Sequence, residues 1–152
     1  MPTNADSAAS AVLDEVVPGL VLQKIVLLGA LVLAAFGGGA GVAVLAIGGG
    51  AIWADVIGAA AEHGLMVLHG SAADVGVVGY TLAGGLSFYG RRYGLAANSV
   101  RVIELVTAAG ELMRVDAESD PELFWATIGG MGLTGTILDA TFRLRPVESG
   151  WI

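Results

Sequence analysis

Glycine is concentrated between residues 70 and 94, and this concentration limits the possible folds of the chain more than any other feature. Seven positions of the stretch are glycine: Gly70, Gly76, Gly79, Gly84, Gly85, Gly90 and Gly94. A glycine inside regular structure costs up to about 1 kcal/mol of stability relative to alanine. The stretch therefore predicts either tight turns and close helix packing, or a backbone that aims several N–H groups at a diphosphate without needing a basic side chain.

Length and composition exclude several other classes of protein. A chain of 152 residues is the size of one domain, and its net charge of −7 argues against nucleic acid and anionic membranes as partners. The absence of cysteine excludes disulfides, iron–sulfur clusters and a cysteine-linked cofactor. The two histidines, His63 and His69, are six positions apart, which is a poor spacing for a metal site, and no metal is expected.

The N-terminal part of the chain divides into a polar tail, residues 1–19, and an apolar segment, residues 20–47. Residues 25–54 carry no charge and are long enough for a membrane span, but glycine triplets at 37–39 and 48–50 interrupt them. The favoured interpretation is a pair of interior strands or a strand and a helix, with Val42–Ile47 as a buried strand, and a membrane anchor over residues 25–47 is the alternative. The tail lacks the basic residues of a secretory signal, so a cytoplasmic location is expected.

Residues 48–152 carry ordinary signals for helices and strands. Apolar residues recur at helical spacing from Trp53, and Gly64 is suited to ending that helix. Asp120 and Pro121 are typical of the start of a second helix, whose buried bulk is expected from the three residues that follow Glu122. The predicted strands are Leu65–Leu68, Ser99–Thr107, Glu111–Val115 and a final strand in which Leu138, Ala140, Phe142 and Leu144 share one face. This order indicates an α+β fold with a mixed or antiparallel sheet flanked by helices.

An ordered series of motifs runs through the second half of the chain. It comprises His69-Gly-Ser-x-x-Asp-Val-Gly-Val-x-Gly-Tyr-Thr-Leu-x-Gly-Gly85, Tyr93-Gly-Leu-Ala-Ala-Asn98, Glu104-Leu-Val-Thr107 and Glu122-Leu-Phe-Trp-Ala-Thr-Ile-Gly-Gly-Met-Gly-Leu-Thr-Gly135. The first three motifs are similar to berberine-bridge-enzyme-like oxidases, and the last resembles sugar-oxidising relatives such as decaprenylphosphoryl-ribose oxidase. Together they resemble the C-terminal half of the FAD-binding domain of the vanillyl-alcohol oxidase/p-cresol methylhydroxylase (PCMH-type) superfamily.

The resemblance implies which residues contact the cofactor. The Gly-Ser turn and the helix start that follows would lie against the flavin, the ribityl chain and the diphosphate, the next turn would continue that contact, and the start of the last strand would lie near the adenine. The implied FAD-binding residues are Gly70, Ser71, Gly76, Val77, Val78, Gly79, Ala83, Gly84, Gly85, Leu86, Gly135 and Ile137.

The sequence also departs from the family pattern. The Arg-Gly-Gly-His-like loop that closes over the diphosphate, and that carries the flavin-bonded histidine in some relatives, has no counterpart, so FAD is expected to be held non-covalently. Ala83 stands where relatives often have glycine. The substrate lobe that supplies most catalytic side chains is absent, so the catalytic residues are unknown and the chain is expected to be a partial domain.

Individual polar residues have structural as well as functional interpretations. His69 is expected to be a strand-end histidine bonded to backbone rather than a flavin contact, and Asp74 is expected to cap the helix that starts near Val75. The pair Arg91-Arg92 is interpreted as solvated or ion-paired, with a phosphate contact as the alternative. Tyrosines 80, 89 and 93 are expected to pack between helix and sheet rather than to line a cofactor.

Three functions follow, from different classes. The first is the FAD-binding domain of an FAD-dependent oxidoreductase that oxidises an alcohol group of a sugar- or polyol-like substrate. The second is a degenerate, non-catalytic flavin-fold module that associates with itself. The third is a protein anchored in a membrane through residues 25–47.

Overall fold

A computed structural model of the chain describes residues 43–147, which form six strands, four α-helices and a 3-10 helix. In chain order these are β1 (Val44–Gly48), α1 (Trp53–Ala61), β2 (Leu65–Met66), α2 (Val77–Leu82), α3 (Gly90–Tyr93), the 3-10 helix (Ala96–Ser99), β3 (Val100–Val106), β4 (Leu112–Asp116), α4 (Pro121–Thr127), β5 (Thr136–Arg143) and β6 (Arg145–Pro146). The predicted membrane segment falls mainly outside this range. Within the described range, no helix combines the length and apolar character that crossing a bilayer requires.

The main sheet has four strands in the order β1-β5-β3-β4, and every neighbouring pair is antiparallel. β2 and β6 form a separate antiparallel pair. The α+β prediction, with an antiparallel sheet flanked by helices, is confirmed. β1 begins inside the apolar segment and pairs with β5, from Val44 opposite Arg143 to Gly48 opposite Asp139. The division of the chain at residue 48 stays a prediction.

The alternating pattern of the last strand determines which face of the sheet is buried. Ala140, Phe142 and Leu144 are at most 5% exposed, as the period-2 pattern predicted. Their face joins a core formed by β1, β3, β4 and the helices, with Leu45, Ile103, Leu105, Val115, Trp53, Val56, Val77 and Phe124 among its most buried side chains. The β3–β4 hairpin turns at Gly110, whose φ of +81° suits glycine.

The two longer helices start and end close to where the sequence indicated. The Asp120 carboxylate accepts a hydrogen bond from the Leu123 N–H at 3.0 Å and caps α4, with Pro121 at its first position. Gly64 follows α1 with a φ of +66°. One prediction about α4 is wrong: Phe124 is buried, but Trp125 is 56% exposed because it lies on the opposite side of the helix.

Candidate functional site

The loop before α2 is held against the segment that leads into α1. The Trp53 N–H donates to the carbonyl oxygen of Val75 at 3.1 Å, and the Val77 N–H donates to that of Ala51 at 2.9 Å. Gly76 is the N-cap residue of α2 and no side chain caps the helix, so the predicted capping role of Asp74 is wrong. Because these bonds run between backbones, they fix the path of the loop without using its side chains.

Two glycines at the start of α2 border open space. A Cβ atom built on Gly79 would have no heavy atom within 4 Å, and one built on Gly76 would meet only the Ala51 carbonyl oxygen, at 4.0 Å. Both glycines are exposed. The first bond of the helix runs from Tyr80 to Gly76, and no described residue accepts the N–H groups of Val78 and Gly79. This corner of the fold therefore combines free backbone donors with room for a ligand.

The valines that lie between these glycines belong to the core. Val77 is fully buried and Val78 is 4% exposed, so their side chains face away from solvent. Any ligand contact from these two predicted site residues is thus made by backbone atoms. Ser71 is exposed in the loop.

Two other glycines of the stretch accommodate a side chain of the protein itself. A Cβ atom on Gly70 would lie 3.0 Å from the Tyr80 ring, and one on Gly85 would lie 2.7 Å from the same ring and 2.7 Å from the Ala96 Cβ. Gly70 and Gly85 are therefore required by the packing of Tyr80. The alternative interpretation of the glycine stretch, close packing, accounts for these two positions.

The turn after α2 is the predicted glycine turn. Gly84 and Gly85 have φ values of +109° and +68°, and their carbonyl oxygens accept the N–H groups of Ala97 and Ala96 at 3.0 and 2.9 Å. Ala83 is exposed, and Leu86 is 78% exposed. The turn thus anchors the 3-10 helix and leaves an apolar side chain in solvent.

The second glycine-rich run meets the first at one hydrogen bond. The Gly129 N–H donates to the carbonyl oxygen of Leu82 at 2.6 Å, which joins the end of α4 to the end of α2. Gly135 and Ile137 lie farther along, at the start of β5, where Ile137 pairs with Leu105. A Cβ atom on Gly135 would collide with the Val106 carbonyl oxygen, so strand pairing alone explains that glycine.

An aromatic cluster lies beside the glycine stretch, and sequence reasoning did not find it as a group. The Tyr80 ring meets Trp53 edge-on at 5.5 Å, and His69 lies 6.2 Å from Trp53 and 6.0 Å from Tyr89 between ring centroids. The His69 Nδ1 atom is 2.7 Å from the Gly70 carbonyl oxygen, as expected for a histidine bonded to backbone. The sequence did show aromatic residues on both sides of the glycines, but which of them contact each other depends on the fold.

The side chains of this region favour binding over acid–base chemistry. Burial raises the pKa of the Tyr80 phenol, whose hydroxyl donates to the Leu86 carbonyl oxygen at 2.6 Å. The Trp53 indole nitrogen and the Thr81 hydroxyl are buried and have no hydrogen-bond partner among the described residues. The arrangement can present backbone donors to a bound group and pack against it.

Comparison with known proteins shows which proteins the part of the chain around this site is similar to. Residues 35–116, just over half of the chain, match the family described as "FAD binding domain". (R)-6-hydroxynicotine oxidase from Paenarthrobacter nicotinovorans is 37% identical over 110 residues, which is 70% of this chain and 24% of that enzyme. The FAD-linked oxidoreductase easE from Trichophyton verrucosum is 42% identical over 103 residues, 66% of this chain and 17% of that protein.

Solved structures of flavoproteins share the fold of this chain, in agreement with the sequence comparisons. 6-Hydroxy-D-nicotine oxidase from Arthrobacter nicotinovorans superposes with a TM-score of 0.65 at 35% identity, covering 68% of this chain and 23% of that enzyme. A VAO-type flavoprotein from Myceliophthora thermophila C1 superposes with a TM-score of 0.66 at 32% identity, covering 68% of this chain and 19% of that protein. The chain therefore spans about a fifth of the length of these relatives. It belongs to the FAD-binding-domain family of the VAO/PCMH-type flavoproteins, and it carries part of that domain.

Proposed function

We propose that this chain holds FAD without a covalent bond, on the backbone around Gly76 and Gly79, as the cofactor domain of an oxidoreductase. The observation that carries the proposal is the open space beside these two glycines together with the N–H groups of Val78 and Gly79, for which residues 43–147 supply no acceptor. Backbone N–H groups at the start of a helix suit a diphosphate because they direct partial positive charge at it. The other predicted contacts, from Gly70 to Ile137, remain part of the proposal.

FAD would supply the redox chemistry by accepting a hydride, and the chain would position it. Non-covalent attachment is supported by the absence of cysteine and by the position of the histidines. His69 is half-buried with its Nδ1 at the Gly70 carbonyl oxygen, and His63 follows α1 at the surface.

The proposed reaction is oxidation of an alcohol group on a sugar- or polyol-like substrate. Its support is the similarity of residues 122–135 to sugar-oxidising relatives. The matched relatives are not limited to sugar-oxidising enzymes, since one of them is named as a hydroxynicotine oxidase. The substrate is therefore a proposal about the whole protein rather than about this chain alone.

The test is a titration of the purified chain with FAD, followed by flavin fluorescence and the visible spectrum. Binding should quench the fluorescence and resolve the flavin absorption bands, and denaturation should release all of the flavin into the supernatant. Unquenched fluorescence at every ratio would reject FAD binding, and flavin that stays with the denatured protein would reject non-covalent attachment. The substrate class is tested on the whole protein, where anaerobic bleaching of the flavin by polyols, but not by amines, would support it.

One observation favours the second function, a non-catalytic module that associates with itself. Tyr80 fills the space beside Gly70 and Gly85, so part of the predicted cofactor surface is closed by the protein. Leu86 and Phe88 are more than 70% exposed and would suit a protein contact. Sedimentation velocity with FAD present separates the two functions. A self-associating module should form an oligomer whose size rises with protein concentration, and no flavin absorbance should sediment with it. A cofactor domain should sediment together with flavin absorbance.

A further inference from the structure

Three arginines lie together where β3 begins and β5 ends. Val100 pairs with Phe142 and Val102 pairs with Thr141, so Arg101 is the extra residue of a β-bulge. Bulges redirect side chains at the ends of strands. Arg143 is the last residue of β5 and Arg145 the first of β6, and they flank the buried Leu144.

Two of the three guanidinium groups are held in place by contacts that leave donors available. The Arg145 guanidinium lies over the Tyr93 ring, 4.9 Å from its centroid, and its Nε atom is buried without a hydrogen-bond partner among the described residues. The Nη1 atom of Arg101 donates to the carbonyl oxygens of Val100 and Asn98 at 3.2 and 3.4 Å. A fixed guanidinium loses less entropy when it binds an oxyanion than a free one does.

The positive charges of this group are not neutralised by the described part of the chain. Burial, and then the charges of Arg143 and Arg145, lower the pKa of Arg101. Within residues 43–147 the ion pair that the structure shows is Arg114 with Glu104, at 2.9 Å, and none of the three clustered arginines lies within ion-pair distance of a described carboxylate. Three close cations in a chain of net charge −7 indicate a function for the cluster.

We propose that Arg101, Arg143 and Arg145 form a binding site for a phosphate group. A phosphate monoester carries a charge of about −1.5 to −2 and offers three strong acceptor oxygens, so it neutralises three guanidinium groups better than one carboxylate does. Two sources supply phosphate oxygens here: a separate phosphorylated small molecule, which carries such a monoester, and the diphosphate of FAD, whose phosphates are each esterified on two sides and which would then lie at this cluster instead of at the start of α2. The site does not depend on the proposed function, because phosphate binding can be measured without FAD.

The test is isothermal titration of the chain with inorganic phosphate, and then with pyrophosphate, at low salt. The wild-type chain should bind, and the separate variants Arg101→Gln and Arg145→Gln should each weaken binding at least about tenfold, because each removes a charge-assisted contact. The matched control is Arg114→Gln, since Arg114 is paired with Glu104 outside the cluster, and its affinity should equal that of the wild type. Near-ultraviolet circular dichroism establishes that each variant is folded.

A second pair of variants tests the contact that holds Arg145. Tyr93→Phe keeps an aromatic ring under the guanidinium and should keep the affinity, whereas Tyr93→Leu removes the ring and should lower it. Absence of phosphate binding by the wild type up to millimolar concentrations, or equal affinity in the folded Arg101→Gln and Arg145→Gln variants, would overturn the proposal.

Repeating the titration at saturating FAD identifies the source of the phosphate group. Competition between phosphate and FAD, together with weaker FAD binding by Arg101→Gln, assigns the site to the cofactor. Simultaneous binding assigns it to a separate phosphorylated molecule. A chain that binds phosphate but not FAD keeps the arginine site and refutes only the proposed function.

Discussion

The Tyr80 hydroxyl donates a 2.6 Å hydrogen bond to the carbonyl oxygen of Leu86, across the turn that contains Gly84 and Gly85. The same ring lies against Gly70 and Gly85 and meets Trp53 edge-on. One tyrosine therefore joins α2, the glycine turn and the loop that follows β2. The glycines around it permit its packing, which separates them from the open glycines at the start of α2.

Replacing Tyr80 with phenylalanine tests the hydrogen bond apart from the packing of the ring. Tyr80→Phe keeps the contacts with both glycines but leaves the Leu86 carbonyl oxygen without its donor. The free energy of unfolding should fall by about 0.5–1.5 kcal/mol, measured by urea denaturation. Unchanged stability would show that solvent replaces the bond at no cost.

Adding a methyl group at Gly85 should destabilise the fold strongly. The residue has a φ of +68°, and its new Cβ would lie 2.7 Å from both Ala96 and the Tyr80 ring. Gly85→Ala should lose about 2–4 kcal/mol, from strain and overpacking together. Gly110→Ala is the matched control, because Gly110 also has a positive φ, +81°, but a Cβ there meets nothing within 4 Å. Its loss should be confined to about 1–2 kcal/mol of backbone strain, and equal losses would contradict the packing role of Gly85.

Thr81 carries a buried hydroxyl without a partner among the described residues. Thr81→Val keeps the shape of the side chain and removes the polar atom, so thermal denaturation should show a gain of about 1 kcal/mol. The control is Thr127, which is equally buried but donates to the Leu123 carbonyl oxygen at 2.7 Å and lies 3.0 Å from the Thr134 hydroxyl. Thr127→Val should destabilise the protein, and a loss at Thr81 of the same size would contradict the account.

Asp116 should contribute a pH-dependent part of the stability. Its carboxylate accepts the N–H groups of Ser119 and Glu118, both at 2.8 Å, and these bonds lower its pKa below the usual 3.8. Because the folded pKa is below the unfolded one, the contribution is present above about pH 3.8 and disappears as the pH falls through the folded pKa. The difference in stability between the wild type and Asp116→Asn should therefore shrink below that pH. A difference that is constant from pH 6 to pH 2 would contradict this.

The sequence was sufficient for the features that depend on local chemistry. Three predictions depended only on residues close together in sequence, and the fold agrees with them: the alternation from Leu138 to Leu144, the Asp120 cap and the Gly110 turn. Trp125 was placed wrongly because three successive large residues cannot all lie on one face of a helix, and only the position of the sheet decides which face is buried.

The candidate site was predictable only in part, because the sequence does not distinguish a glycine that borders a ligand from one that accommodates a neighbouring side chain or strand. Gly79 faces open space, Gly85 accommodates Tyr80, and Gly135 accommodates a neighbouring strand. The three roles depend on contacts between residues far apart in the chain. The arginine cluster was not predicted for the same reason, since the pairing of β3 with β5 brings Arg101 close enough for the charges of Arg143 and Arg145 to act on it.

The central claim is that the free space beside Gly79 is where FAD binds, and Gly79→Ala tests it most directly. In an open helical position the substitution should raise stability by about 0.5–1 kcal/mol, yet the new methyl group would occupy the cofactor space. Gly58→Ala, in α1 and equally open, should raise stability without affecting the cofactor. Titration followed by flavin fluorescence should show FAD affinity at least about tenfold weaker for Gly79→Ala than for the wild type and Gly58→Ala. Equal affinity in all three proteins would contradict the account.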